Sequence, residues 1–428
     1  MHSFDIDLNN ISKIEGHTHM LVKVRENKVI ECKLRISENQ RFYKKAIEGM
    51  EYGLVPNHVS RICGTCSAAH LLASTEAIEN AFGIKVSNQT YKLRLLIMNG
   101  GHIRDHAMHL YFFVLPDIFG KESVFDFNGE LHKWVHYGLE VKEAGNLLST
   151  IIGGRAVHPT FSVIGGFTNF PTKIQMQETI KKLKEVRPKI LELIGVLYKD
   201  KRIFKREANY AGLVNDDYNY LKGMIRTAKG TKIPEEKYAE HLEKVVLPYS
   251  TAEAFTWESK DFMVGALARI NLNKNNLHKN TRKDCEEYLK IFPNDCIFNN
   301  NLAQAIETLH GVDFSIEILE DLIKTLKKEA PISFKVKEGE GVGVVEAPRG
   351  TLYYKFNINK SGKIKKANLV IPTQQNIIHL EKDVAKYVEE LLEKKVDKKE
   401  ISLKIEEMIR AYDPCMSCAT HFLKIDWE

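Results

Sequence analysis

Two cysteine pairs at opposite ends of the chain constrain its fold more than any other feature: Arg61-Ile-Cys-Gly-Thr-Cys66 and Asp413-Pro-Cys-Met-Ser-Cys418. Each is Cys-x-x-Cys, and each is followed by a histidine, His70 and His421. Together they use four of the seven cysteines. A Cys-x-x-Cys pair at a turn before a helix aims two sulfurs at one point, where backbone N–H groups favour thiolate over thiol. If the pairs share a metal, positions 352 residues apart must meet. The whole of residues 1–428 then folds as one large domain around the site.

Composition agrees with such a chain. At 43% hydrophobic and 28% charged residues it reads as a globular protein with a large core. No apolar stretch approaches the roughly 18–20 residues that span a membrane. The start, Met1-His-Ser-Phe-Asp-Ile-Asp, is neither a signal nor a transit peptide. An odd number of cysteines in a long chain argues against a disulfide framework and for a reducing compartment. The net charge of +6 is mild, and the lysine runs at 181–184 and 394–399 are interleaved with glutamate. They read as solvated helix faces, so nucleic-acid binding is not expected.

The patterning predicts an α+β fold, predominantly α, with long buried helices and small peripheral β-sheets. Residues 19–36 alternate as a hairpin turning at Glu26-Asn-Lys28. Helical periodicity follows Cys66, with Ala69, Leu72, Ala73, Ala77 and Ala81 on related faces and Gly83 as the stop. Residues 89–115 and 127–152 read as long buried helices and 173–199 as an amphipathic one. Residues 201–300 are irregular, helix returns at 301–329, and 333–372 is β-rich with a Ser361-Gly362 turn. Amphipathic helices at 379–393 and 398–411 lead into the second cysteine pair.

Four thiolates suit zinc, iron–sulfur or nickel. A structural zinc site is the ordinary reading of two such pairs. Three details weigh against it: the long separation, the flanking Arg61 and Asp413-Pro414, and the histidine after each pair.

Here the residues carry a resemblance. R-I-C-G-T-C-S-A-A-H and D-P-C-M-S-C-A-T-H resemble the two signature motifs of the large, catalytic subunit of nickel–iron hydrogenases. Ile14-Glu-Gly-His17 resembles that family's N-terminal R-x-E-G-H element, with Lys13 where arginine is usual. Arg104-Asp-His-Ala-Met-His-Leu-Tyr111 resembles its D-H-x-x-H-x-Y helix. Gly153-Gly-Arg-Ala-Val-His-Pro159 with Gly165-Gly166 resembles its G-x-x-x-H-P loop, and Glu346-Ala-Pro-Arg-Gly350 and Pro372-Thr373 also match. Each string is short; together, in the family's order, they are specific. The wording is most like the soluble group that couples hydrogen to pyridine nucleotides or a deazaflavin, including the sulfhydrogenase α subunits.

The resemblance implies a nickel held by Cys63, Cys66, Cys415 and Cys418. Cys66 and Cys418 would bridge to an iron carrying carbonyl and cyanide ligands, and Cys63 and Cys415 would be terminal. It implies that Cys415 accepts the proton when dihydrogen splits and that Glu15 passes it outward. General acid–base work needs hydrogen-bond reach and a tunable pKa, which a buried glutamate has. Arg349, with Pro348, would cap the iron's diatomic ligands, Thr373 would donate to a cyanide, and Asp105 and Asp413 would shape the canopy around Arg349. His70, one helical turn past Cys66, would tune a bridging thiolate. On their own, Glu15 reads as a polar residue before a strand, Arg349 and Thr373 as turn residues, and Asp105 as a solvent-facing helix residue. Asp413 alone reads as a turn former, and His70 as a satisfied core histidine. Cys32, Cys285 and Cys296 match no motif.

Two departures stand out. Family members often carry R-F-F-E upstream of the first pair, whose glutamate helps hold an auxiliary magnesium or iron together with the last motif's histidine. Here the segment is Arg41-Phe-Tyr-Lys44, so an ammonium stands in place of a carboxylate, and His421 is a metal ligand only if that ion binds. The second is the segment after His421, Phe422–Glu428, which reads as a maturation peptide removed once nickel is inserted.

The expected function is therefore reversible heterolytic cleavage of dihydrogen. The chain lacks a further cysteine cluster and a nucleotide-binding glycine motif. Electrons must then leave through a small iron–sulfur subunit, with diaphorase-type or other electron-transfer subunits beyond it. A maturation endopeptidase and nickel-insertion chaperones are the other expected partners, and the cytoplasm the expected location. A non-catalytic scaffold subunit of a redox complex and a zinc-stabilised interaction protein are the rival readings.

Overall fold

The computed structural model describes residues 3–9, 11–36 and 42–420. Phe4–Leu8 (β1), Thr18–Arg25 (β2) and Lys28–Ile36 (β3) form an antiparallel sheet in that order. The hairpin turns on Glu26 and Asn27, both left-handed at φ 52 and 65, as a two-residue type I′ loop requires. Sequence patterning did not anticipate β1. Its alternation of Phe4, Ile6 and Leu8 with Asp5 and Asp7 is too short to stand alone.

The helical core follows. Ser67–Phe82 (α1) starts directly after Cys66 and stops at Gly83, left-handed at φ 72. Asn88–Ala107 (α2) is capped by the Ser87 side chain, which accepts from the Thr90 N–H. Residues Met108–Val114 continue it as a π-helical segment. Lys133–Gly153 (α3) packs along α2, and Lys173–Tyr198 (α4), opened by a Thr172/Gln175 capping box, packs on α3. Small antiparallel pairs, such as Leu242–Val246 with Glu253–Trp257, occupy the irregular stretch. Ala266–Asn273 (α5) packs on the long Asn299–Thr325 (α6), which returns the chain to the core against α2.

Gly339–Ala347 (β4), Gly350–Ile358 (β5) and Ile364–Val370 (β6) form the sheet expected at 333–372, and most of its residues are buried. β4 is an edge strand, and α1 covers it. Gly339, Gly341 and Gly343 lie against the backbone of Ala81, Ala77 and Ala73. Alternate strand residues repeat at about 6.6 Å and every fourth helical residue at about 6 Å, so strand and helix stay in register over three contacts. The edge is also capped chemically: Val344 N–H donates to Glu76 at 3.0 Å, and Asn80 donates to the Val342 carbonyl at 2.6 Å. These bonds satisfy groups that an open edge would expose. A Cβ at Gly343 would sit 2.1 Å from the Ala73 carbonyl oxygen. Gly343→Ala is therefore expected to destabilise the protein by about 3 kcal/mol or more, the upper end of over-packing, read as a lowered thermal midpoint.

Pro372–Glu393 (α7) begins at Pro372, well before the expected position near 379. Its first turn hides its periodicity because polar residues there are buried and bonded to the backbone of other segments. Gln374 donates to the Ala419 carbonyl at 2.9 Å, Gln375 to Thr351 at 2.7 Å and Asn376 to Val264 at 3.1 Å. Lys398–Tyr412 (α8), capped by Asp397, ends at Asp413, left-handed at φ 51.

Candidate metal centre

Cys63 is extended (φ −149, ψ 140) after a 3₁₀ turn, and Cys66 caps the N-terminus of α1. Cys415 is likewise extended and opens the short turn Met416–Ala419. The second motif is brought in by the N-terminus of the chain. Glu15 and Cys415 form a parallel bridge, with the Met416 N–H donating to the Glu15 carbonyl at 3.0 Å. Thr373, at the start of α7, accepts from the Cys415 N–H at 2.9 Å.

All four sulfurs lie within 4.8 Å of one another. Across the motifs, Cys66 and Cys418 approach to 3.1 Å, and Cys63 and Cys415 to 3.5 Å. A metal–sulfur bond of about 2.3 Å places tetrahedral ligands about 3.8 Å apart, so the donor set is sized for one metal ion. None of the four is more than 7% exposed. Hydrogen bonding from Cys415 holds the Cys63 thiol well below its ordinary range, while burial pushes Cys415 and Cys418 well up. Four such sulfurs shed all their protons only around a cation. Among the described residues this is the group able to hold a metal.

Arg349 lies over this cluster. It is buried at 6% exposure, and its Nη1 donates to Asp105 at 2.6 Å and its Nη2 to Asp413 at 2.9 Å. The two carboxylates hold the guanidinium's charge firmly, against the cost of burial. Its Nε–H has no protein acceptor, which leaves a buried donor open to a ligand. Asp105 is a buried residue of α2, not the solvent-facing one its sequence alone suggests. Asp413 both turns the chain and accepts from Gln304 at 2.9 Å. Arg349, Thr373 and His70 border one narrow apolar space with Cys66, Cys415 and Cys418.

Glu15 is half-buried rather than enclosed, because its short segment docks from outside. Its Oε2 meets Cys415 Sγ at 3.1 Å and the Ser417 N–H at 3.0 Å, while its Oε1 accepts from the Ser417 hydroxyl at 2.5 Å. His70 hydrogen-bonds the Tyr354 hydroxyl at 2.7 Å. Burial keeps its ring neutral, pulling its pKa down to about 4. Pro348 turns its carbonyl away, toward Arg269 at 3.0 Å. Lys44 pairs with Glu253 at 2.7 Å, and burial pulls its pKa down. His421 and the residues after it lie outside the described residues.

The residues missed by sequence reasoning all act on backbone or carboxylates. Arg104 donates to the carbonyls of Ala156 and of Thr65, at 2.5 Å for the latter, and pins the Cys63–Cys66 loop. Its neighbour Asp105 was the only signal. Ser417 cradles Glu15, and its place inside the second motif was the clue to it.

Comparison with known proteins fits this geometry. The model of the nickel-dependent hydrogenase family matches residues 47–120 and 215–421. The chain belongs to that family. It is an oxidoreductase, the large subunit of a hydrogenase with a four-cysteine site. The alpha chain of sulfhydrogenase 2 from Pyrococcus furiosus is 30% identical over 98% of this chain and 100% of its own. That of sulfhydrogenase 1 from the same organism is 29% identical over 98% of both. The corresponding chain of the F420-non-reducing hydrogenase vhc from Methanococcus voltae is 30% identical over 97% of this chain and 94% of its own. Among solved structures, an NAD+-reducing [NiFe]-hydrogenase in the H2-reduced state superposes with a TM-score of 0.87 at 22% identity, covering 98% and 99% of the two chains. The Ni-Fe-Se hydrogenase from D. vulgaris Hildenborough gives 0.77 at 23%, covering 98% and 100%. These structures establish the fold.

Proposed function

We propose that this chain splits dihydrogen heterolytically, that Cys415 and Glu15 carry one proton outward, and that the electrons leave through an iron–sulfur small subunit to a soluble coenzyme. The observation that carries this reading is the 3.1 Å contact between Glu15 Oε2 and Cys415 Sγ inside a four-cysteine cluster. When bound, nickel and an iron bearing carbonyl and cyanide ligands supply the redox and Lewis-acid chemistry that activates dihydrogen.

The protein's own part is to hold and move protons and to fix donors. Cys63, Cys66, Cys415 and Cys418 would hold nickel, with Cys66 and Cys418, 3.1 Å apart across the two motifs, as the pair that would also hold the iron. Cys415 Sγ takes the proton and Glu15 Oε2 receives it within hydrogen-bond reach. Ser417 fixes the carboxylate with two donors, so Oε2 stays on the sulfur. Arg349, clamped by Asp105 and Asp413, would offer its unpartnered Nε–H, and Thr373 its hydroxyl proton, to the iron's cyanide ligands. Neutral His70 would wall the space beside the bridging sulfurs, and Pro348 would act through the peptide it shares with Arg349.

Arg61 and Gly64 are exposed immediately beside buried Cys63, which supports electron exit at that surface into the small subunit. The acceptor belongs to further subunits, diaphorase-type or other. Names among the similar proteins range from sulfhydrogenase to NAD+-reducing hydrogenase. No helix of the described residues is long and apolar enough to cross a membrane. The resemblance to the soluble group supports a cytoplasmic complex. Phe422–Glu428 follow the family match, which ends at residue 421. We assign them as the peptide that a maturation endopeptidase removes after chaperones insert nickel. The Lys44–Glu253 pair supports replacement of the auxiliary magnesium or iron by an ammonium, which would leave His421 without that role.

One preparation tests these assignments: the complex, purified without oxygen. Expected are one nickel per chain, infrared bands of metal-bound carbonyl and cyanide, no stoichiometric magnesium, and a chain mass ending at His421. Zinc in place of nickel, with no such bands, would sink the functional reading. A mass that includes Trp427 in active enzyme removes the maturation peptide, and bound magnesium removes the Lys44 assignment.

A further inference from the structure

Behind Arg349, Arg269 is buried on α5 at 3% exposure and uses all five of its N–H donors. Nε and Nη2 donate to the two oxygens of Glu307 at 2.6 and 2.7 Å. Nη1 donates to Glu346 Oε2 at 2.9 Å. The remaining two go to consecutive peptide carbonyls, Ala347 and Pro348, both at 3.0 Å. A guanidinium has five donors in one rigid plane, so these contacts fix the backbone entering Arg349 in both position and tilt.

The carboxylates are themselves fixed. Glu307 accepts from the Tyr218 hydroxyl at 2.8 Å and meets His106 Nε2 at 3.1 Å. Glu346 accepts from the Leu213 N–H and the Thr351 hydroxyl, each at 2.7 Å. Burial pushes the Glu307 carboxyl up, but the Arg269 guanidinium overrides it and holds it well below the usual range. His106 follows Asp105 on α2, and Asp105 grips the Arg349 guanidinium. One network thus reaches Arg349 from both ends, its peptide and its side-chain partner. Gly350, at φ +132, closes the loop onto this scaffold, since a Cβ there would stand 2.4 Å from Val264. Apolar packing would stabilise the fold as well as a buried ionic cluster does. What the cluster adds is a defined backbone geometry.

We propose that Arg269, held by Glu307 and Glu346, is the positioning residue that fixes the Pro348–Arg349 peptide and aims the Arg349 guanidinium over the cysteine cluster. This rests on the reading of Arg349 as a donor to the metal-bound ligands. The test is Arg269→Lys in the assembled, nickel-loaded complex. Lysine keeps the charge but has three donors, too few to span both carboxylates and both carbonyls. Hydrogen oxidation is expected to fall by about tenfold to a hundredfold, the scale of a small misplacement. The cyanide infrared bands should shift and nickel per folded chain should stay near that of the parent, while the thermal midpoint falls because lysine leaves buried acceptors unpaired. Unmoved bands with unchanged turnover overturn the proposal. So does a turnover loss that only matches loss of folded, nickel-loaded protein. If Arg269→Lys does not fold, Thr351→Val and Tyr218→Phe, each removing one donor to the network, must shift the same bands; no shift in either overturns it. Arg349→Lys run alongside separates the two readings. Bands moved by Arg349→Lys but not by Arg269→Lys refute the positioning alone, whereas bands unmoved by Arg349→Lys refute the role of Arg349 itself.

Discussion

Glu15→Gln is expected to lower hydrogen oxidation by about 10²- to 10⁴-fold, the range that one positioned acid–base group contributes. Nickel content and infrared bands should stay those of the parent enzyme. The change isolates proton transfer because glutamine keeps the shape: its carbonyl oxygen can accept from the Ser417 N–H, which bonds Glu15 at 3.0 Å, and its amide can donate to the Ser417 hydroxyl oxygen, 2.5 Å from Glu15. What it loses is a carboxylate able to take a proton from Cys415 Sγ at 3.1 Å. Hydrogen–deuterium exchange catalysed by the variant is the direct readout, since isotope scrambling needs the proton to leave. Parent-like exchange and turnover in Glu15→Gln would remove Glu15 from the proton route.

Cys415→Ser is expected to abolish turnover altogether, through loss of nickel. Serine preserves the size of the side chain and a contact to Glu15, but a hydroxyl is a hard, weakly acidic donor where a soft thiolate is needed. The remaining three sulfurs stay buried within 4.8 Å of one another, so a zinc or an incomplete site in the purified variant is the expected residue of the change. The fold should survive, because Cys415 contributes little apolar area and its N–H bond to Thr373 is a backbone contact. Nickel analysis and a hydrogen-dependent dye assay check it together. A nickel-loaded, active Cys415→Ser would take Cys415 out of the ligand set.

The parts of the site that were legible in the sequence are those whose chemistry is local. Cys63, Cys66, Cys415 and Cys418 announce themselves because a Cys-x-x-Cys spacing places two sulfurs at one turn. The long helices and the β4–β6 sheet follow from apolar periodicity, and Gly83 and Asn27 mark left-handed turns that glycine and asparagine adopt more readily than other residues. The start of α7 was not legible, because Gln374, Gln375 and Asn376 are polar yet buried, bonded to backbone of three distant segments. Arg269 and Glu307 gave no signal at all. Neither lies in a motif, and an arginine and a glutamate separated by 38 positions look like two surface residues until a helix pair closes them into a dry network.

By itself, then, the sequence determined which atoms can bind a metal and which family supplies the precedent, since ligand identity is carried by side-chain type and short spacing. Only the tertiary structure decided how those atoms are aimed. Glu15 reaches Cys415 across the whole chain by a strand-like bridge, Asp105 turns inward to grip Arg349, and Arg269 holds the peptide behind it. Such contacts join residues with no sequence relation. Their existence depends on where α1, α2 and α5–α8 come to rest in one packed core, where a donor without a partner is costly and a fully bonded one becomes rigid.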